Sequence, residues 1–300
     1  MSERIEPCPK ERVPELIALL DEEFVLSRGR AISVERRFPE VFFARNLGNL
    51  WTVLVDGEVV AAAVAKPFEW LADEKTWTAA MVGLVVTRPE LRGRGLASRL
   101  LVRLQSHLAQ QGSELAVLWT RHPQFYERLG WIQGDEGLFG RALLDAEESP
   151  LALALGGHPP GEKEVAEVER LRSQWAKERA QRSRATYHAL PMPATSLEIH
   201  LAPRGEEPRA FAVVGKDGNT GYVYEWLGDP KAFPALWSSV RANCCPLFFN
   251  DRAGSSASVW LARECGVTWT EQRLAMWLPL APSTCAPALI RWVIPYLDRI

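Results

Sequence analysis

The stretch that decides the fold is Thr87-Arg-Pro-Glu-Leu-Arg-Gly-Arg-Gly-Leu-Ala-Ser98. It stands between an apolar, valine-rich run, Thr76–Val86, and the most strongly patterned helix of the chain, Leu96–Gln111. Leu96, Leu100, Leu101, Leu104 and Leu108 form one face of that helix, and Gly112 ends it. Gly93 and Gly95 permit positive φ and let a ligand approach the backbone closely. The first amides of a helix lack intrahelical acceptors, so this turn reads as a cradle for a phosphate or pyrophosphate. Two common phosphate loops are excluded. No Gly-Lys-Ser/Thr follows, and Ser98 occupies the third glycine position of G-x-G-x-x-G counted from Gly93.

Working outward, a short strand is predicted at Arg4–Glu6, then helices over Lys10–Phe24 and Ser33–Asn46, the second capped by Ser33 with Arg36 and Arg37 on its exposed side. Trp51–Asp56 and Glu58–Lys66 flank Asp56-Gly57, a hairpin signal. After Leu96–Gln111 come a strand at Glu114–Thr120, a short helix at Gln124–Leu129 closed by Gly130, and a strand pair within Trp131–Leu143. That order, βααβββαβαβ, is a mixed sheet with helices on its faces.

Gly156-Gly157 and Pro159-Pro160-Gly161 mark a linker at 146–162, which divides the chain into domains 1–145 and 163–300. The second opens on a helix over Glu162–Arg184, with acids in its first turns and Lys177, Arg179, Arg182 and Arg184 in its last, read as a solvated basic end. Strands follow at Ser196–Ala202, Arg209–Lys216 and Gly221–Leu227, a helix at Asp229–Arg241, a strand at Pro246–Asn250, a helix at Ser255–Glu264 and a final strand at Thr268–Leu280. The later elements of the first half recur here in order, without residue identity between the halves.

Composition excludes several classes. The 300 residues are 47% hydrophobic and 24% charged, ordinary globular values. A net charge of −2, from 35 basic and 37 acidic residues, argues against a polyanion binder, so no nucleic-acid partner is expected. The longest apolar run, Val59–Ala65, is far short of the roughly 20 residues of a membrane span. Met1-Ser-Glu-Arg-Ile-Glu6 lacks the features of a signal peptide. Five cysteines without C-x-x-C and five scattered histidines form neither a disulfide framework nor a metal set. A cytoplasmic protein with reduced thiols and no metal, monomeric or homodimeric, is the expectation. The twelve tryptophans are an excess. Most fall in predicted strands and helices and read as core.

Arg92-Gly-Arg-Gly-Leu-Ala97 resembles the R-x-x-G-x-G/A loop of the GNAT superfamily of acyl-CoA-dependent N-acetyltransferases. Phe125-Tyr126-Glu-Arg-Leu-Gly130-Trp131 resembles that superfamily's F-Y-x-x-x-G-F segment, at the matching distance and after the matching strand. The resemblance is close over Arg4–Leu143 and covers the second half only in element order. It implies an α/β (α+β) fold: two GNAT-like units in tandem, each a mixed, mostly antiparallel sheet flanked by helices. The second unit is expected to be degenerate, because Leu227-Gly-Asp-Pro-Lys231 has no glycine-rich loop and Asp229 would cap the following helix.

The resemblance further implies acetyl-CoA as co-substrate. Its pantetheine arm would pair with the backbone of Val85, Val86 and Thr87. The amides of Gly93, Arg94, Gly95, Leu96, Ala97 and Ser98 would hold its pyrophosphate, with Arg92 at the loop entrance. An amide near Val85 would face the oxyanion, and Tyr126 would protonate the leaving thiolate. The implied reaction is direct transfer of an acetyl or other acyl group to a primary amine in a ternary complex, the acceptor being a small molecule, peptide or protein. The alternative is a non-catalytic acyl-CoA-binding or interaction module, motivated by the lack of an obvious base. Thr76–Val86 contains no acid; Glu69, Asp73, Glu74 and Glu127 are nearby in sequence without a spacing argument. A water relay or a carboxylate from the second half, including the C-terminus at Ile300, is equally open. Trp51, Trp70 and Trp77 are read as flanking the acceptor side, and Arg28, Arg30, Arg36 and Arg37 as able to favour an acidic acceptor.

Overall fold

The computed structural model describes residues 2–142, 157–203, 206–242, 244–281 and 292–300. The strands are β1 (Glu3–Pro7), β2 (Leu50–Val55), β3 (Glu58–Ala72), β4 (Lys75–Thr87), β5 (Leu115–Trp119), β6 (Ile132–Gln133), β7 (Gly137–Ala142), β8 (Ser196–Ala202), β9 (Ala210–Asp217), β10 (Thr220–Gly228), β11 (Leu247–Arg252), β12 (Thr268–Glu271) and β13 (Ala275–Pro279). The helices are α1 (Val13–Phe24), α2 (Val34–Arg37), α3 (Pro39–Phe42), α4 (Leu96–Gln110), α5 (Pro123–Glu127), α6 (Glu162–Trp175), α7 (Phe233–Arg241) and α8 (Ser256–Cys265).

Two compact units result, and neither is a contiguous half of the chain. The first holds residues 1–135 with 274–290 and 300, the second 136–273 with 291–299. The first sheet runs β1-β2-β3-β4-β5-β13-β6, the second β8-β9-β10-β11-β7-β12. Each sheet therefore draws on the far half of the sequence. β13 pairs antiparallel with β5 (Met276 opposite Leu118), and β7 with β11 (Phe139 opposite Asn250). This exchange replaces the division at 1–145 and 163–300. The expected strand pair in Trp131–Leu143 is split between the sheets, and so is the single strand expected over Thr268–Leu280. The linker at 146–162 lies outside the described residues up to 156.

In the first unit, α4 buries the leucine face anticipated from its spacing, with Leu100, Leu101, Leu104 and Leu108 fully enclosed against β3, β4 and β5. Burial of one such side chain contributes about 1.5–3 kcal/mol relative to exposure. Ser33 caps α2, its hydroxyl accepting from the Glu35 amide at 3.3 Å. The helix expected from there to Asn46 ends at Arg37, because Pro39 starts a new turn at α3. Arg37 is buried, not exposed, and donates to the Ile32 carbonyl at 3.0 Å. β3 runs past the expected Lys66 to Ala72, and its hairpin with β4 sets Glu69 opposite Thr78 and Trp70 opposite Trp77.

In the second unit, α6 stops at Trp175, so the four bases share no helix end; Lys177 and Arg184 are exposed as expected, but Arg182 is not. The side chain of Arg182 is fully enclosed, pairing with both oxygens of Asp298 at 2.7 and 2.8 Å and with Glu225 at 2.7 Å. Arg172, equally enclosed, meets Glu225 and Glu169, while Tyr187 donates to Glu169. The aromatic surplus has a home on the opposite face. Trp226 is ringed by Phe233, Trp237, Phe249 and Trp260 at 5.8–6.5 Å between centroids.

Candidate active site

The site is built where β4 leaves its neighbour. β4 and β5 pair in parallel only over Ala79–Met81 against Leu115–Val117. Beyond Met81 the β5-facing edge of β4 has no strand partner among the described residues. On its other edge, toward β3, Gly83 lies opposite Val64 and Val86 opposite Ala62. Leu84 and Val85 thus face Ala63 alone, which is a β-bulge, and Leu84 has φ of 50°. A bulge removes backbone groups from the ladder and re-aims them. The positions expected to hold a pantetheine arm and an oxyanion, Val85, Val86 and Thr87, lie on this open, bulged edge.

After Thr87 the chain makes one 3-10 turn and enters the glycine loop. Gly93 and Gly95 have φ of 78° and 72°, a region costly for other residues. The first main-chain hydrogen bond of α4 runs from the Arg99 amide to the Gly95 carbonyl at 3.1 Å. The amides of Gly93 through Ser98 accordingly stay outside the helical ladder. A Cβ built on Gly93 would meet nothing within 4 Å, so the space above the loop is open. Outward amides, an open concavity and an unpaired strand edge together suit a pyrophosphate followed by an extended arm. Leu96 is the loop residue whose side chain turns into the core. The Arg94 guanidinium is exposed and makes no ion pair among the described residues. Arg92 instead donates to the Thr87 carbonyl at 3.0 Å and pairs with Glu23 at 2.8 Å.

Tyr126 is held on α5, its carbonyl accepting from the Leu129 and Trp131 amides at 2.8 and 3.2 Å. Its ring packs edge-on against Phe125 and Trp131 at 4.9 and 6.2 Å and rests on the same core as α4 and β4. Its hydroxyl makes no hydrogen bond among the described residues. Burial raises its pKa to about 12, so the phenol is a protonated donor at neutral pH.

The open question of the base is narrowed by register. Glu69 faces Thr78, five residues before Gly83, which is about 17 Å along a strand. Asp73 and Glu74 form the hairpin tip, about 30 Å away by the same measure. Glu127 is exposed and follows Tyr126 by one residue, a rotation of about 100° around a helix. Glu69, Asp73 and Glu74 therefore do not reach the bulge. The group that does is Ile300, whose main-chain oxygen lies 2.9 Å from the position of a Cβ on Gly83. No residue pattern announces that contact.

The tryptophans expected near the acceptor do other work. Trp51 packs in the core against His107 at 5.2 Å between rings, and Trp70 is fully enclosed. Trp77, paired with Trp70 in the hairpin, carries the Lys75 ammonium over its ring at 3.6 Å. Among the arginines read as acceptor-facing, Arg37 is buried as described, and Arg28 stacks over Phe24 at 5.7 Å. No described helix is long and apolar enough to cross a membrane.

A splayed strand pair, a bulge, a helix-opening run of amides and a half-buried phenol thus lie together in the first unit. Residues 4–134 match the model of the Acetyltransferase (GNAT) domain family. The chain's fold is shared with a GCN5-related N-acetyltransferase from Anabaena variabilis at 14% identity and a TM-score of 0.72, covering 93% of this chain and 73% of that one. A GCN5-related N-acetyltransferase from Kribbella flavida follows at 17% identity and 0.65, covering 92% and 70%. The Saccharomyces cerevisiae N-myristoyltransferase with bound myristoyl-CoA is similar at 11% identity and 0.61, covering 93% and 79%.

Proposed function

We propose that this protein transfers an acetyl or closely related acyl group from acyl-CoA to a primary amine by direct attack in a ternary complex. The observation that carries this is the coincidence, on one strand and the loop after it, of a bulged unpaired edge and six amides outside any ladder. Backbone of Val85–Thr87 pairs with the pantetheine arm. The amides of Gly93–Ser98 take the pyrophosphate, with Arg94 as the exposed cation beside it. An amide freed at the bulge faces the carbonyl oxygen as negative charge develops. Tyr126 gives its proton to the departing thiolate. Where Ile300 carries a free carboxyl group, that carboxylate stands over Gly83 and can take the amine's proton.

We further propose that the second unit is a GNAT-like unit without a CoA site. β10 pairs in parallel with β11 over Gly221–Val223 and then bulges at Tyr224, as β4 does with β5 and at Leu84–Val85. The turn that follows is closed by Asp229, whose carboxylate accepts from the Lys231 amide at 3.0 Å. A capping carboxylate there repels a pyrophosphate. Beside the bulge, Tyr224 stacks on Tyr296 at 5.2 Å and Glu225 is held by two arginines.

The test is CoA release from acetyl-CoA across a panel of small amines and peptide amines. Tyr126→Phe is expected to lower kcat by about a hundredfold or more while acetyl-CoA still binds. Gly95→Glu is expected to abolish binding. Tight acetyl-CoA binding without turnover on any amine would reverse the catalytic reading in favour of a binding module.

A further inference from the structure

The pyrophosphate loop is held by a residue near the start of the sequence. Arg99, in the first turn of α4, spreads its guanidinium between two partners. Nη1 donates to the Arg94 carbonyl at 3.0 Å. Nη2 donates to both carboxylate oxygens of Glu3 at 2.8 and 2.9 Å, and Nε to Oε1 at 3.2 Å. Glu3 belongs to β1, the edge strand fixed on β2 by pairing of Glu3 with Val55.

The consequence follows from the planarity of the peptide unit. In a trans peptide the C=O and the next N–H point in opposite directions. Pinning the Arg94 carbonyl on Arg99 therefore turns the Gly95 N–H away from β1, onto the opposite side of the loop. Gly95 itself, at φ 72°, has a backbone that permits this turn without strain. A Cβ at Gly95 would press on Arg99 Nη1 at 3.3 Å, so loop and staple are fitted to each other. Glu3 also occupies the fork of the guanidinium, keeping it from swinging onto the anion.

We infer that Arg99 and Glu3 are positioning residues for acyl-CoA: β1, through Glu3 and Arg99, pre-sets the amide cradle before the co-substrate arrives. This rests on the assignment of the pyrophosphate to Gly93–Ser98. The pair is partly exposed, 48% and 37%, so its effect is modest, and a pair of this kind contributes at most about a fivefold change in an equilibrium.

The experiment compares the wild-type chain with Glu3→Ala, Arg99→Ala, Arg99→Lys and the double variant Glu3→Ala/Arg99→Ala. Amide hydrogen exchange across Gly93–Ser98 is measured in the free protein, and kcat and KM for acetyl-CoA are measured separately. Glu3→Ala is expected to speed exchange in the loop by about fivefold and to raise KM by a similar factor with kcat within twofold. Arg99→Ala should do the same, the double variant should be no worse than either, and Arg99→Lys should restore part of the loss. Tighter acetyl-CoA binding by Glu3→Ala would overturn the inference, because it would mean that Arg99 contacts the anion itself. Unchanged loop exchange in Glu3→Ala, or additive effects in the double variant, would overturn it too. If the wild-type chain binds no acetyl-CoA, the assignment of the loop fails, and loop exchange alone then decides whether Glu3 orders it.

Discussion

Replacing Gly83 by alanine tests the bulge and the group lying over it. The added Cβ would stand 2.9 Å from the Ile300 carbonyl oxygen, 3.0 Å from its Cγ1 and 3.1 Å from its carbonyl carbon, where ordinary contact begins at 3.4 Å. Gly83 is not in the positive-φ region, so the strand accepts alanine and the conflict is one of space alone. Relief requires Ile300 to withdraw by about half an ångström or more, since β4 is locked between β3 and the core. Core overpacking costs about 1–3 kcal/mol, the range expected for this contact. Misplacing a reacting group by about 1 Å can cost about a hundredfold in rate. The expected result in steady-state assays is a kcat lower by about tenfold to a hundredfold, with KM for acetyl-CoA within twofold because loop and strand edge are untouched. A folded Gly83→Ala protein with kcat within twofold of wild type would refute a role for Ile300 in the proton transfer.

The remaining expectations concern the phenol and the two cores. Because burial lifts Tyr126 to about 12, it stays protonated and no alkaline decline of kcat below about pH 10 should trace to it. A limb with an apparent pKa near 9 that vanishes in Tyr126→Phe would contradict this. Leu104→Ala, removing a fully enclosed leucine of α4, should cost about 2–5 kcal/mol in denaturant unfolding; a loss under about 1 kcal/mol would show that the leucine face does not hold the helix. Arg182→Met leaves Asp298 and Glu225 enclosed without their shared partner and should destabilise by about 3–5 kcal/mol; neutrality in a thermal melt would show that the carboxylates relax to water.

Short-range signals in the sequence were enough for α4, the glycine loop, the Ser33 cap and the Asp229 cap. Each is decided within a few residues, by the 3.6-residue period, by φ at glycine or by one side chain meeting the next turn's amides. The same locality explains the misreadings. Pro39 broke a helix whose apolar pattern continued through it. Nothing near Arg182 in sequence points to its partner Asp298, 116 residues away, so its burial is invisible to local pattern.

By itself, then, the sequence determined that a strand, a glycine turn, an amphipathic helix and an aromatic segment with Tyr126 follow one another in an order that resembles the GNAT superfamily's. Only the tertiary structure decided which strands share a sheet, with β7 and β13 exchanged between the units. It alone placed the bulge at Leu84–Val85, Ile300 over Gly83, and Glu3 behind the loop. All of these depend on pairing between segments separated by tens to hundreds of residues. Such pairing is fixed by the register and packing of whole surfaces, and the pattern of any one segment does not contain it.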